Sequence, residues 1–360
     1  MSTLAVDAIV DSSNGNTATI NGATPTVYNT MGKNRIINGA MEIDQRNAGS
    51  AYTITGDGQY GVDRFQARTF AGSGRFSMQQ VSDAPTGFLN SLKITVTTTD
   101  TSGTNGYSVD QRIEGLNITD FNFGSASAKT YTLSFWVKSS IAGTYAVSNR
   151  NTLVSSSCVF TYTINSANTW EKKTITFPAN TSYTTGTDNG IGLLCDFSFG
   201  AQTSKSTSTL GEWISGNYVF NSGQVDLMQT SGATFYITGV QLEVGSVATE
   251  FERRLYSTEL QLCQRYYYRC SQRPLGYSQS SAQLFRGSVD FPTTMRVAPS
   301  LDSSGNSFTV NSGAPAAGTV GLYTGSGSNP SPSAAYVYNS SNNWGAYSFV
   351  AVSAGFSSEL

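Results

Sequence analysis

Histidine is absent from all 360 residues of the chain. Catalysis by a Ser-His-Asp or Cys-His arrangement is therefore excluded, because both need an imidazole to carry the proton. Zinc sites built on histidine are excluded for the same reason. General acid–base chemistry near neutral pH would have to use carboxylates or lysines whose pKa values are shifted.

Charged side chains are scarce as well. Asp, Glu, Lys and Arg make up 12% of the residues, and 21 basic against 23 acidic side chains give a net charge of -2. A nucleic-acid binder needs a clustered excess of Lys and Arg, which this sequence does not have. We therefore expect no nucleic-acid partner. The composition is instead rich in Gly, Thr, Tyr and Phe, which favours β-structure.

Long apolar runs and closely spaced cysteines are also missing. No stretch reaches the roughly 20 apolar residues of a membrane span, and residues 1–10 lack the basic start and apolar centre of a signal peptide. We expect a product that is made in a cytoplasm and does not insert into membranes. The four cysteines form no CxxC motif. Cys158 and Cys195 are expected to be buried free thiols, and Cys263 and Cys270 to lie too far apart along a helix to form a disulfide.

Alternation of apolar and polar residues dominates between residues 34 and 252. In residues 131–138 (YTLSFWVK) every second side chain is apolar. The same pattern recurs in residues 93–99, 158–164, 172–177 and 234–240. Period-two alternation predicts strands with one buried face. The sequence therefore predicts an all-β protein whose largest part is a jelly roll or β-sandwich.

The chain divides into four predicted segments. Residues 1–33 have too little apolar surface for a core and are predicted to be an arm. Residues 34–252 form the jelly roll, and residues 253–275 form a short helical connector. Residues 276–360 return to β-like alternation and are predicted to form a second, smaller C-terminal β domain.

The helix is predicted over residues 257–269 (STELQLCQRYYYR). Tyr256, Leu260, Cys263, Tyr267 and Cys270 are spaced 4, 3, 4 and 3 residues apart, which is the spacing of a two-heptad seam. Two interpretations of this seam stay open. The helix either packs on the sandwich of its own chain or joins subunits of an oligomer.

Several segments resemble proteins of bacteriophage tails. Residues 235–254 (FYITGVQLEVGSVATEFERR) resemble the closing strand of the carbohydrate-binding-module-like jelly rolls found in phage tail-fibre proteins. Residues 131–138 and 170–177 resemble two core strands of these modules. Residues 34–47 (NRIINGAMEIDQRN) and 61–65 (GVDRF) resemble their entry. Residues 262–268, 291–299 and 353–360 resemble the segment that follows them.

The resemblance implies a virion tail-fibre protein that is made in the host cytoplasm and adheres to host surface glycans. Such proteins are often homotrimers, with an amino-terminal arm that binds a tail or baseplate protein and a distal part that meets host polysaccharide. Tyr256, Leu260, Cys263 and Tyr267 are then candidates for the trimer interface. No enzymatic activity and no cofactor are expected. Two alternatives stay open, namely a structural tail adaptor without receptor binding and a polysaccharide-depolymerising tailspike.

Aromatic side chains are the candidate glycan contacts, because a ring face packs on the C–H face of a sugar. Trp344, in a predicted turn of the distal domain, is the favoured site, and Tyr183 lies in the polar loop 180–189. Trp136 lies opposite the apolar face of its strand, where it forms a platform or, as we favour, packs under a loop. Trp213 and Tyr218 lie in residues 211–220 (GEWISGNYVF), for which a structural role is favoured.

Carboxylates occur in no motif that marks a glycosidase nucleophile or acid. The neighbouring pairs are Glu42 with Asp44, Glu250 with Glu252, and Asp57 with Asp63. The second pair adjoins Arg253 and Arg254, which favours a salt-linked surface. Oxygens of Asp57, Asp63 and Asp226 suit calcium, but no known calcium-loop spacing is present. No catalytic residue and no metal site is therefore predicted.

Overall fold

The computed structural model describes residues 32–70, 72–151, 155–200, 203–277, 286–302, 307–310, 320–322, 331, 333–339 and 349–360. The predicted arm lies outside these ranges except for Gly32 and Lys33, and Trp344 also lies outside them. The described residues form strands almost throughout, with a single α-helix among them. No helix in these ranges is long and apolar enough to cross a membrane.

One antiparallel sheet has six strands in the order β1-β4-β5-β15-β7-β10. Its strands are β1 (Tyr52–Ile54), β4 (Arg75–Val81), β5 (Ser91–Thr98), β7 (Tyr131–Ser139), β10 (Glu171–Phe177) and β15 (Thr234–Val244). The longest strand, β15, pairs with both β5 and β7 and carries a register shift between Thr238 and Gln241. This central strand therefore joins the β1-β4-β5 half of the sheet to the β7-β10 half.

A second antiparallel sheet has seven strands in the order β13-β9-β8-β11-β6-β3-β2. Its strands are β2 (Tyr60–Val62), β3 (Phe65–Phe70), β6 (Gly106–Glu114), β8 (Gly143–Asn151), β9 (Ser156–Ile164), β11 (Ile191–Ser198) and β13 (Trp213–Ser215). Two short strands, β12 (Ser206–Thr207) and β14 (Phe220–Asn221), pair in parallel beside it. Short 3-10 turns at Gly115–Asn117, Thr119–Phe121, Thr203–Lys205 and Leu227–Gln229 connect these elements.

The two large sheets face each other across a single apolar core. Ring contacts join them, with centroids 5.1 Å apart for Phe135 and Phe197, 5.1 Å for Phe76 and Phe199, and 5.7 Å for Phe235 and Tyr145. The apolar positions predicted from residues 131–138 are all fully buried in this core: Tyr131, Leu133, Phe135 and Val137. The predicted all-β sandwich is therefore confirmed.

Smaller sheets follow toward the carboxyl terminus. The helix α1 (Tyr256–Gln264) leads into β16 (Tyr267–Tyr277), which pairs with β22 (Phe349–Ser357). The strand β22 also pairs with β18 (Ser300–Leu301) and β19 (Ser307–Val310). A three-stranded sheet contains β17 (Arg286–Asp290), β20 (Val320–Leu322) and β21 (Ala334–Asn339). These sheets are much smaller than the sandwich, as the fold class predicts.

The helix is shorter than the sequence predicts. It ends at Gln264, and the residues expected to continue it belong to β16, where Tyr267 pairs with Ser357. Cys263 and Cys270 therefore do not share a helix, although both are free thiols, as are the buried Cys158 and Cys195. The strand β16 also runs across the predicted boundary at residue 275, while the domain boundaries themselves stay a prediction.

Several of the segments that resemble phage proteins contact one another, and we call the region where they meet the motif junction. Arg64, from residues 61–65, stacks on Tyr266, from residues 262–268, with 3.5 Å between the guanidinium carbon and the ring centroid. The same guanidinium forms an ion pair with Glu359, from residues 353–360. Arg254 donates a hydrogen bond of 3.1 Å to the carbonyl of Ile36. These motif residues thus hold the fold together.

Candidate functional site

Aromatic side chains gather on the outer face of the six-stranded sheet. Trp136 on β7 and Tyr236 on β15 point outward, because their neighbours Phe135 and Phe235 are fully buried in the core. Trp170, directly before β10, lies beside them, with 6.1 Å between the centroids of its ring and that of Tyr236. All three rings are partly exposed. We call Trp136, Trp170 and Tyr236 the aromatic platform.

Two lysines flank Tyr236 because of the strand register. Tyr236 lies directly opposite Lys138 on β7 and Lys93 on β5. The ammonium of Lys138 lies 4.3 Å from the Tyr236 centroid and 5.1 Å from the Trp170 centroid, and that of Lys93 lies 5.8 Å from the Tyr236 centroid. Cation–π attraction thus fixes the lysine side chains against the rings.

Asp83 closes one edge of the aromatic platform. Its carboxylate forms an ion pair with Lys138 and accepts a hydrogen bond of 3.2 Å from Nε1 of Trp170. The hydrogen bond from Lys138 is the main cause that lowers the pKa of this carboxyl, and the bond from Trp170 lowers it further. Half of the Asp83 side chain stays exposed, so an ionised acceptor borders the rings.

A glycine in β15 makes room for the rings. Gly239 has a φ of +61° at the register shift, and a Cβ atom there would lie 2.7 Å from Cζ of Phe88 and 3.1 Å from Cδ1 of Trp136. Phe88 in turn contacts Phe251 edge to face, with centroids 5.1 Å apart. Only glycine allows both the backbone conformation and this close approach. The outer face therefore carries further aromatic surface next to the platform.

Among the predicted glycan contacts that the structure describes, only Trp136 belongs to this face. Trp213 lies on β13 at the edge of the opposite sheet, where Nε1 donates to the carbonyl of Pro178 at 3.2 Å. Tyr218 lies against Gly216, at which a Cβ atom would come within 2.4 Å of the ring. Tyr183 is partly exposed just before β11.

Sequence reasoning missed Trp170 and Tyr236. The signal for Tyr236 was present, because the alternation in residues 234–240 that buries Phe235 must turn Tyr236 outward. Trp170 precedes a strand and gave no such signal. Only the pairing of β7 with both β10 and β15 brings it near Tyr236.

The residues predicted for a trimer interface have unequal exposure. Cys263 and Tyr267 are fully buried inside the chain. Cys263 packs in a small apolar cluster with Ile37, and the Tyr267 hydroxyl donates to Asp302 at 3.0 Å. Cys263 is therefore buried by its own chain, whereas Tyr267 is buried on β16, outside the helix. Tyr256 is 61% exposed and Leu260 is half-buried, and their contact with another subunit stays a prediction.

Four of the carboxylates considered for catalysis accept internal hydrogen bonds, among them Asp57, which accepts from the Thr69 backbone amide at 2.9 Å. Asp44 accepts from the backbone amides of residues 47 and 49 at 2.9 and 2.8 Å. Asp63 accepts from the Gln45 side chain at 2.6 Å, and Glu252 accepts from the Asn34 amide at 2.8 Å. In the described part of the chain, no three Cys, Asp or Glu side chains gather as metal ligands.

A carboxylate pair that the sequence did not reveal lies on the outer face of the seven-stranded sheet. Asp110 on β6 and Asp196 on β11 are direct cross-strand neighbours, and both are fully buried. Arg150 binds Asp196 through two hydrogen bonds of 2.9 and 2.7 Å. Burial, followed by repulsion from Asp196, raises the pKa of Asp110 to about 6. The pair has no exposed surface on which a polysaccharide could be cleaved.

No protein-family model and no curated protein matches the sequence. Among solved structures, the enzymatically active domain of tailspike protein 4 from bacteriophage CBA120 is 14% identical with a TM-score of 0.30, over 59% of this chain and 21% of that chain. A C-terminal family 22 carbohydrate binding module from Clostridium thermocellum is 15% identical with a TM-score of 0.30, over 57% and 99%. A family 11 module from the same organism is 14% identical with a TM-score of 0.28, over 57% and 100%. Similarities this weak carry no argument for the fold or the function.

Proposed function

We propose that this chain is a phage virion tail-fibre protein that adheres to host surface glycans through the aromatic platform. The observation that carries the proposal is the set of three partly exposed rings on one sheet face, bordered by two lysines and an ionised aspartate. Partly exposed aromatic surface rimmed by polar groups marks a binding site on a protein. The sequence resemblance to phage tail-fibre proteins supplies the biological setting.

The chemistry of the platform suits a polysaccharide. Trp170 and Tyr236 meet at an interplanar angle of 70°, so their rings would contact the C–H faces of a sugar chain at two different angles. Lys93 and Asp83 supply a donor and an acceptor for the hydroxyl groups, while the buried Lys138 holds Asp83 in place. The contact area per chain is small, so several copies in a homotrimer would raise the total affinity through avidity. An arm bound to a tail or baseplate protein would then place the platforms at the host surface.

The proposed action is binding without cleavage. Asp44, Asp63 and Glu252 accept internal hydrogen bonds, and Asp110 with Asp196 is fully buried. A depolymerising tailspike would need two accessible carboxyl groups about 5 to 9.5 Å apart across a cleft. A release of reducing ends from host polysaccharide would therefore contradict this part of the proposal.

The platform is tested by affinity electrophoresis in gels that contain host surface polysaccharide. Trp170→Ala and Tyr236→Ala should each weaken binding about tenfold, because each removes one ring face. Tyr183→Ala is the matched control, since this aromatic side chain is partly exposed and its neighbour Thr184 contacts the opposite sheet, where its carbonyl accepts from Asn151 at 3.3 Å. Thermal unfolding of every variant must stay near that of the wild type.

Two results of this experiment would reject the platform as a glycan site. The first is unchanged retardation of the Trp170→Ala/Tyr236→Ala double variant. The second is retardation that is lost only in Tyr183→Ala. Light scattering after size exclusion tests the adaptor alternative. If the platform joins protein subunits, the solution mass of the double variant should be lower than that of the wild type.

A further inference from the structure

A cavity lies where the sandwich meets the C-terminal sheet, away from the aromatic platform. It has a volume of about 340 Å³. We call it the junction pocket, and its polar and aromatic wall consists of Arg46, Asn47, Tyr52, Gln59, Tyr60 and Asp302. Ligand pockets range from about 300 to 1,000 Å³, so this space suits one small ring compound.

The positive charge of Arg46 at the junction pocket is already compensated. The Arg46 guanidinium lies between two rings, 4.6 Å from the Tyr60 centroid and 3.6 Å from the Tyr267 centroid. It forms ion pairs with Asp63 at 3.5 Å and Glu359 at 3.2 Å. Because two carboxylates already neutralise this guanidinium, the pocket favours a neutral ligand over an anion.

The hydrogen-bonding groups of the junction pocket are held in fixed orientations. The side-chain oxygen of Gln59 accepts hydrogen bonds from the backbone amides of Thr55 at 2.7 Å and Gly56 at 3.0 Å. Its Nε2 therefore points to the Tyr52 hydroxyl, to which it donates at 3.2 Å. The Tyr52 hydroxyl therefore accepts from Gln59 and keeps its own proton to donate. The side-chain nitrogen of Asn47 donates a hydrogen bond of 2.6 Å to the Gly61 carbonyl, so the side-chain oxygen of Asn47 points away from that carbonyl.

We propose that the junction pocket binds a single neutral pyranose, as a free monosaccharide or as the end or branch unit of a glycan. The tyrosine rings supply apolar walls, and the oriented hydroxyl and amide groups pair with equatorial hydroxyls. The inference rests on the proposed function only for the source of the sugar. The platform suits an extended chain, whereas the pocket encloses one ring, so the two sites differ in the ligand length that they need.

Titration calorimetry with glucose, galactose, mannose and N-acetylglucosamine tests the pocket. We expect one of these sugars to bind the full chain with a Kd of about 1 to 10 mM. Tyr52→Phe should weaken that binding about fivefold, since it removes one hydrogen bond and leaves the ring in place. Ser357→Tyr should abolish it, because Ser357 lines the pocket and a larger side chain would fill the space.

The control for these variants is Tyr256→Phe, which removes a hydroxyl from an exposed tyrosine outside the pocket. If Ser357→Tyr fails to fold, Tyr52→Phe still decides the outcome. The proposal is overturned if no monosaccharide of the panel gives heat, or if both pocket variants bind as the wild type does. Polymer retardation measures the platform and monosaccharide heat measures the pocket, so each of the two proposals can fail alone.

Discussion

Arg64 stacks on Tyr266 although Arg64 lies near the start of the sandwich sequence and Tyr266 follows its end. The guanidinium carbon lies 3.5 Å from the ring centroid, and both side chains are buried. Arg64 has a φ of +72°, which residues other than glycine rarely adopt. The surrounding contacts therefore hold a backbone conformation that would be unfavourable alone. This stack ties the entry of the sandwich to the residues that follow α1.

Replacement of Arg64 should strongly destabilise the chain. Arg64→Met removes one partner of the buried ion pair with Glu359 and the donor to the Arg112 carbonyl. We expect the free energy of unfolding in urea to fall by about 3 to 5 kcal/mol. Arg75→Met is the control, because the Arg75 side chain donates to the adjacent Gly74 carbonyl and forms no ion pair among the described residues, so its effect should stay within about 0.5 kcal/mol. A decrease in the free energy of unfolding of less than twice that of the control would show that the stack contributes little.

Gly239→Ala should damage both stability and the platform. The new Cβ atom would meet Phe88 at 2.7 Å and Trp136 at 3.1 Å, in addition to the cost of a positive φ. Gly232→Ala separates the two effects, because Gly232 has a φ of +75° and no atom within 4 Å. We expect Gly232→Ala to cost about 1 kcal/mol and to leave glycan retardation unchanged. Equal behaviour of the two variants would contradict the role assigned to the close approach.

The pH dependence of stability should report on Asp110. Its pKa is raised to about 6 in the folded chain, above the 3.8 of an ordinary aspartate. The folded state therefore holds more protons between these values, and this group lowers stability as pH rises from about 4 to about 6. Asp110→Asn should make urea unfolding less dependent on pH across this range, and the slope that remains includes Asp63, whose pKa burial raises to about 7. The exposed Asp188→Asn should leave the slope as it is in the wild type.

The four thiols should be unreactive in the native state. All four are buried, and burial raises the pKa of Cys158 to about 12 and that of Cys195 well above its usual value. Because the thiolate is the reactive form, we expect no rapid reaction with a disulfide reagent at pH 8. In guanidinium chloride all four should react within minutes. Rapid modification of even one thiol in the native protein would show that its segment opens readily.

The sequence predicted the sandwich because the signal for a strand is local. Residues 131–138 alternate, and the side chains that this alternation assigns to the core, such as Leu133 and Phe135, are fully buried. The predicted end of the helix was wrong because the actual end depends on a contact with a distant part of the chain. Tyr267 does not continue the helix, because it pairs with Ser357 on β22, near the carboxyl terminus of the sequence.

The candidate site shows the same division between local and distant causes. Alternation by itself determined that Trp136 and Tyr236 turn away from the core, since successive side chains of a strand point to opposite faces. The register of β7 with β15 decided that Lys138 lies opposite Tyr236, and the pairing of β7 with β10 placed Trp170 beside them. Likewise, Arg64 and Tyr266 have no local signal for their stack. Contacts between distant segments depend on how the sheets pack, which only the tertiary structure decides.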